Sequence, residues 1–517
     1  LAQLDEMASW SPLQRPGWTC FSNDQPLPPD GKDGSWLSTG TGVRAIALAL
    51  DLLPADTVDT ALRARLDTLL RAEIEQVVDD WNQKRQWFVK WRNPITNQWV
   101  LPLEGLIGAC LVLGRERYRD AYEFGVRHMR EALDAHGADG EFEEGAHYAA
   151  YTVTSMLYTA HAMARAGDDC LLGHPFLQRF PTWLVHHLQP GRWLINCFDS
   201  FTPTAPRGGH NPAGDNFLQF LSLLAVTTNH PVARWALRHL FDRPSEDLAG
   251  LAVRVLLSEG GDAPAVPLYA AYDRARRVNW RSGWEDDATG VWIRGGHPSD
   301  QHDHFDRGHV NFILRGRPIL IEAGTPAYHN ALICSHYSSG LGHNVLQLGT
   351  QMPGQPSTPL GEYLCLPGWQ KKAVAPLTVQ RLDAAGGEVT VDGTACYDGL
   401  QRWRRTVRWT INELTVEDDV ALADAHTDIV CFRWHLGATQ SPRIQGAGAR
   451  WQATWSEATL TLESSVPLVV IEEPMPDHTL VARTWDDPAP DHLHPCLVVR
   501  SAEPVAGLRL TTHVHPA

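Results

Sequence analysis

Near residue 262 the spacing of apolar residues changes from a helical repeat to a strand repeat, and few folds accommodate such a switch. Upstream, Val58, Leu62, Leu66, Leu69, Leu70, Ile74, Val77 and Val78 mark one long amphipathic helix. Further helical stretches fall near 41–53, 100–113, 117–134, 148–165, 174–188, 215–227, 231–241 and 246–257, mostly separated by Gly, Pro or Asp/Asn clusters. Consecutive helices with short connectors and no strands between them pair antiparallel. Downstream, period-2 runs take over at Gly290–Arg294, Val310–Leu314, Ile319–Ile321 and Glu388–Val391. They continue at Thr406–Ile411, Leu414–Glu417, Ile429–Trp434, Thr459–Leu462 and Leu497–Val499. Short strands with turn signals between them predict an antiparallel β-sandwich. The expected α+β organisation is an irregular arm over 1–38, a helical domain over 39–262 and a β-sandwich domain over 263–517, with Gly261–Pro267 as linker.

The length of 517 residues exceeds one compact domain. A net charge of −16 argues against nucleic acid, whose phosphates need a basic footprint, and requires any site for an anionic polymer to be locally basic. No apolar run predicts a membrane span: Phe217–Val226 is too short, and Glu104 interrupts Leu101–Leu113. The nine Cys are scattered singly from Cys20 to Cys496 without C-x-x-C spacing, which argues against a disulfide framework and a thiolate metal site. The expectation is a soluble protein, secreted or periplasmic in preference to cytoplasmic. Twenty Trp is a large number, and indole not needed for packing stacks well on sugar rings.

Chemistry-bearing residues concentrate in His302–Tyr328. His302, His304 and Asp306 stand at i, i+2 and i+4, so an extended backbone would put all three on one face. Val310–Leu314 reads as a strand, Gly316-Arg317-Pro318 as a turn, and Ile319–Ile321 as a second strand ending at Glu322. Imidazole and carboxylate together suit a divalent metal, and imidazole also suits proton traffic near neutral pH. In the helical half, Glu144, Tyr148 and Tyr151 lie at i, i+4 and i+7, one helical face. Asn97 opens the helix through Leu113, where an N-cap role competes with a functional one. Just before it, Trp81, Trp87, Phe88 and Trp91 interleave with Lys84, Arg85, Lys90 and Arg92, a mixture suited to stacking a sugar and pairing its carboxylate, or to an ordinary helix with solvated charges.

These motifs resemble the heparinase II/III-like family of polysaccharide lyases. The family line H-x-H-x-D, a strand, then G-x-x-L-L-x-D-x-G-x-x-x-Y is matched by His302 to Tyr328, with Glu322 in place of the usual Asp. The stretch Asp139–Tyr151 is similar to its D-G-x-x-x-E-G-x-x-Y-x-x-Y line, and Gly342-His343-Asn344 after Tyr337 to its H-N pair. The resemblance implies an incomplete (α/α) toroid followed by antiparallel β-sheets. It implies zinc at His304, Glu322 and His343, leaving His302 as the catalytic-side imidazole. Tyr148, or alternatively Tyr151, would transfer the proton, with Tyr337 in reserve. Asn97 would meet the substrate carboxylate, with Gln98 standing where several members have His. Substrate contacts are expected from Gln98, Trp99, Glu144, Tyr151, Arg92, Trp91 and His210. The implied partner is an anionic uronate-containing polysaccharide or oligosaccharide, cleaved by β-elimination. Two alternatives remain at this level: a glycoside hydrolase using Glu143, Glu144 or Asp215, and a non-catalytic protein binding acidic carbohydrate.

Overall fold

Helix starts follow side-chain capping. Asp59 accepts the Leu62 N–H at 2.8 Å and opens a helix that runs to Gln83, while Thr96 accepts the Trp99 N–H at 3.3 Å. Thr96 is therefore the N-cap, and Asn97 is the first helical residue. The computed structural model describes residues 1–10, 37–54, 56–137, 139–195, 197–200, 212–240, 266–298, 300–326, 330–349, 370–423, 426–480 and 492–517. Helices among them are α1 (Ala2–Met7), α2 (Leu37–Leu52), α3 (Thr60–Gln83), α4 (Trp87–Lys90) and α5 (Asn97–Leu113). They continue as α6 (Arg119–Ala135), α7 (Gly145–Arg165), α8 (Pro175–His186), α9 (Pro212–Thr228) and α10 (Pro231–His239). The helix expected at 246–257 and the domain boundary at 262 lie outside the described residues. The arm over 1–38 holds α1 and the start of α2. No helix among the described residues is long and apolar enough to cross a membrane.

Helix α5 is apolar on nearly every face and packs against α2, α3 and α6. Its one acid, Glu104, is buried and pairs with Arg44 of α2 at 2.7 Å. Burial pushes the Glu104 carboxyl up, while Arg44 and Ser155 oppose the shift.

Beyond Pro267 every sheet is antiparallel. A five-stranded sheet runs in chain order through Tyr269–Tyr272, Arg277–Arg281, Gly290–Arg294, Val310–Leu314 and Arg317–Leu320. A four-stranded sheet orders Leu468–Asp477, His492–Ser501, Val430–His435 and Leu346–Leu348. An eight-stranded sheet orders Arg443–Ala447, Arg450–Thr454, Ala458–Ser464, Gly507–Pro516, Leu414–Leu422, Leu400–Thr410, Gly386–Asp392 and Leu377–Asp383. The strand Leu414–Leu422 alternates buried and half-exposed residues along its length, as one buried face requires. One apolar core, including Val291, Phe312, Leu346, Trp403, Val416, Trp434 and Leu460, draws on all three sheets. The turn of the 310–320 hairpin is Arg315-Gly316, with φ of +51° and +74°, in place of the expected Gly316-Arg317-Pro318. Two left-handed residues suit the twist of a two-residue hairpin, and Pro318 then sits within the second strand.

The chain forms two compact units. The first holds Leu1–Phe142, Tyr148–Phe180 and Leu223–His230, and is helical. The second holds Glu143–His147, Pro181–Ser222 and Pro231–Ala517, so it adds short helical-half segments to all the sheets.

Candidate active site and metal centre

The stretch from His302 to Asp306 is not a strand, and its three side chains do not share one face. His302 has φ of +50°, which breaks the extended path, and the strand begins only at Val310. Fully buried Arg294 organises the loop by pairing with Asp306, Asp303 and, at 3.1 Å, Asp300. Asp306 thus turns to a guanidinium. Arg307 pairs with Asp303 at 2.5 Å and donates to the His304 carbonyl at 2.5 Å.

The two histidines meet at a residue with no sequence motif, Asp199. Its Oδ2 lies 2.8 Å from His302 Nδ1 and its Oδ1 3.1 Å from His304 Nε2. Burial pushes Asp199 up, but the hydrogen bonds from His302 and His304 outweigh it and hold the carboxyl below its usual range. Glu144 Oε1 lies 4.0 Å from His302 Nε2. Burial disfavours charge on His302, yet the Asp199 hydrogen bond, its charge and that of Glu144 raise it above the ordinary imidazole value. Nearby His147 is lowered to about 4 by burial and by the charge of His302. Gly145, at φ +82°, permits this approach: a Cβ there would lie 3.0 Å from the Phe198 Cβ. The His302 side chain is 28% exposed, whereas Glu144, Asp199 and His304 are buried, so His302 is the member of this line open to a ligand.

The line ends in a metal-competent triad. Ligand atoms of His304, Glu322 and His343 lie within 4.8 Å of one another, and all three residues are fully buried. His304 Nδ1, both Glu322 carboxylate oxygens and both His343 ring nitrogens make no hydrogen bond of ordinary geometry. Burying so many polar atoms unsatisfied is costly, and a cation removes the cost. Glu322 without a cation is pushed to about 8 by burial and then by Asp306, with Arg294 opposing. Two imidazoles and one carboxylate fit zinc. Asn344 fixes the third candidate ligand, His343. Its amide donates to Val310 O and Ile321 O at 2.9 and 2.8 Å, tying the His343 turn to both sides of the hairpin.

The other expected site residues belong to both units. Tyr337 is fully buried, its ring packed on His336 and His478. In the helical unit, Tyr148 and Tyr151 are both half-buried in α7, and Tyr151 is pushed to about 12 by burial and then by Glu104. Asn97 is buried, and Gln98 Oε1 is buried without a hydrogen bond. Trp99 is a core residue whose Nε1 donates to His128 O at 3.1 Å. Trp91 is 69% exposed, and Arg92 pairs with Glu131 at 2.8 Å beside a cavity of about 850 Å³ also lined by Arg127, Arg130 and Asp134. Glu143 is buried against Arg274 at 2.5 Å. His210 and Tyr328 lie outside the described residues, as does the Asp215 side chain. Asp199 and Arg294 escaped the sequence reading: one stands in an aperiodic loop, the other in an apparently ordinary strand.

Residues 270–484 match the family model described as heparinase II/III-like, C-terminal. Solved structures share the fold over most of the chain. Heparan sulfate lyase HepC from Pedobacter heparinus is 16% identical, with a TM-score of 0.61 over 93% of this chain and 68% of that one. A structure of heparinase III is 14% identical, with a TM-score of 0.65 over 97% and 72%. Chondroitin AC lyase of Streptomyces coelicolor A3 is 12% identical, with a TM-score of 0.51 over 100% and 70%. No curated protein matches the chain in sequence. The class is thus a helical region followed by antiparallel β-sheets, the fold these lyases share. Within it, the hairpin, His304, Glu322 and His343 all fall inside the residues 270–484 that match the heparinase II/III-like, C-terminal family model.

Proposed function

We propose that the protein is a polysaccharide lyase that cleaves a uronate-containing polysaccharide or oligosaccharide by β-elimination, leaving a 4,5-unsaturated uronate end. The observation that carries this reading is the line Glu144–His302–Asp199–His304, partly exposed only at His302 and backed by the buried His304, Glu322 and His343 triad. The three solved structures carry the names heparan sulfate lyase, heparinase III and chondroitin AC lyase, which supports an anionic glycosaminoglycan-like substrate.

Elimination has three requirements. The uronate carboxylate must be neutralised, because the proton at C5 is otherwise far too weak an acid. A base must remove that proton, and an acid must protonate the departing 4-oxygen. His302, with Nδ1 tied to Asp199 and its side chain partly exposed, donates when doubly protonated to the carboxylate and to the enolate-like charge that develops there. By the family resemblance, Asn97 would meet the same carboxylate through its amide. Tyr148, one residue beyond His147 in the first turn of α7, takes the C5 proton and returns one to the leaving oxygen. A free phenol has a pKa of about 10, so Tyr148 acts as base only where a cation or hydrogen bond stabilises phenolate. Zinc held by His304, Glu322 and His343 would supply a fixed charge that braces the loop carrying His302.

Incubating the protein with heparan sulfate, chondroitin sulfate, alginate and glucuronan tests the reading. An ultraviolet-absorbing unsaturated product on at least one polymer supports it. New reducing ends without that chromophore would replace it with hydrolysis, and binding without any product would leave a carbohydrate-binding protein.

A further inference from the structure

We propose that Asp199 is a positioning residue that couples the metal triad to the reacting imidazole, one carboxylate serving both histidines. The role of His302 in this inference rests on the function proposed above. Each oxygen of Asp199 is committed to a different ring: Oδ2 accepts from His302 Nδ1 at 2.8 Å, and Oδ1 accepts from His304 Nε2 at 3.1 Å. An ionised carboxylate only accepts, so each facing nitrogen carries a proton. For His304 this fixes the tautomer, leaving Nδ1 free as the metal-ligating atom, and Nδ1 is the buried nitrogen that lacks a hydrogen bond. For His302 the same bond fixes the ring plane and leaves Nε2 4.0 Å from Glu144 Oε1. Rotating the carboxylate to improve one bond would lengthen the other, so the position of His304 is felt at His302.

The backbone around Asp199 is built for this task. Phe198 has φ of +64°, a left-handed conformation costly for an aromatic residue. That conformation is held from several sides. Thr325 Oγ1 and the Ser200 N–H both donate to the Phe198 carbonyl, at 2.8 and 2.6 Å. Guanidinium groups of Arg277 and Arg294 lie 4.4 and 4.0 Å from the centre of its ring. The Asp199 N–H donates to the His302 carbonyl at 3.1 Å, so the two residues are joined through main chain and side chain. His302 is itself left-handed at φ +50°. Two strained residues facing each other, each pinned by neighbours, keep Asp199 where both rings reach it.

Asp199→Asn tests the coupling, because an amide offers one acceptor oxygen where the carboxylate offers two. Zinc affinity, read by chelator competition on the purified protein, should fall about 10- to 100-fold, the usual effect of removing a group that orients a metal-bound histidine. At saturating zinc, kcat should stay down about 10- to 100-fold with KM changed less than about threefold, the pattern for a contact made in the transition state. In a His302→Ala background the Asn change should cost no further turnover, yet still weaken zinc. In a His304→Ala background it should have no further effect on zinc. Asp199→Ser, which withdraws both acceptors, is the second variant, and Tm reports whether either fold is lost. Wild-type kcat and zinc affinity in Asp199→Asn, or turnover losses that simply multiply with those of His302→Ala, would overturn the proposal. If the wild-type protein cleaves no uronate polymer, the proposed function fails separately. Zinc affinity then tests the His304 half, and crystal structures of wild type and Asp199→Asn test the His302 half by whether its ring turns.

Discussion

Arg294→Met probes what holds the His302 loop in place. The Arg294 guanidinium is fully buried and faces Asp300, Asp303 and Asp306, whose side chains are 2%, 0% and 0% exposed. Methionine fills similar volume but leaves these carboxylates with less opposing charge. Removing one partner of a buried ion pair costs about 3–5 kcal/mol. The escape is to protonate a carboxyl, and forcing a group of pKa about 3.9 to do so at pH 7 costs about 4 kcal/mol, at 1.36 kcal/mol per unit. The two routes agree, so a loss of about 4 kcal/mol is expected at neutral pH. At pH 5 protonation costs only about 1.5 kcal/mol. The sign follows: the variant's folded carboxyl binds a proton that the unfolded chain has released, so its deficit grows as pH rises from 5 to 7. At about 2–4 °C per kcal/mol, Tm should fall by about 8–16 °C at pH 7 and by clearly less at pH 5. Circular-dichroism melts of both proteins at the two pH values measure this. Equal Tm at pH 7, or a deficit that does not shrink on acidification, would refute the reasoning.

Tyr148→Phe should lower kcat by about 10²- to 10⁴-fold, while Tyr151→Phe, whose hydroxyl is pushed to about 12 beside Glu104, should change it less than tenfold; initial rates by ultraviolet absorbance decide, and the reverse order would move the proton transfer to Tyr151. Protein purified without added metal should carry about one zinc per chain by elemental analysis, and Glu322→Gln and His304→Ala should each lose most of it and melt earlier; a metal-free wild type of equal stability would count against the triad. His186 is lowered to about 4 by burial, its ring nitrogens 2.7 Å from the Tyr272 hydroxyl and 2.8 Å from Pro267 O. The unfolded chain protonates it near pH 6.5 and the folded one does not, so its contribution is full above that value and is lost as pH falls towards 4. At pH 5 the difference is about 2 kcal/mol, and His186→Gln should be correspondingly less acid-sensitive in denaturant titrations at pH 5 and 7.

Much of the fold was legible because its signals are local. The runs at Gly290–Arg294 and Val310–Leu314 are strands with those bounds, and the periodic residues from Val58 to Val78 lie on or just before α3. Strands such as Arg277–Arg281 were missed because tertiary packing buries all five of its residues, two of them arginines, and alternation is lost. The set His302, His304 and Asp306 was misread as one face because regular spacing says nothing about a left-handed residue at its start. His304, Glu322 and His343 come together in space from three separate segments, a grouping suggested in the sequence by family motifs and not by spacing. Asp199 had no such pointer: it stands 103 residues from His302 in the chain, and only the fold brings them together.

The central claim is bond cleavage by elimination at a uronate, and the mass of the products tests it most directly. A defined uronate oligosaccharide is digested and its fragments weighed by mass spectrometry. Elimination conserves the parent mass, so the two fragments should sum to it, with the unsaturated fragment one water lighter than its saturated counterpart. Fragments that together exceed the parent by one water, with no unsaturated end, would show hydrolysis and contradict the account.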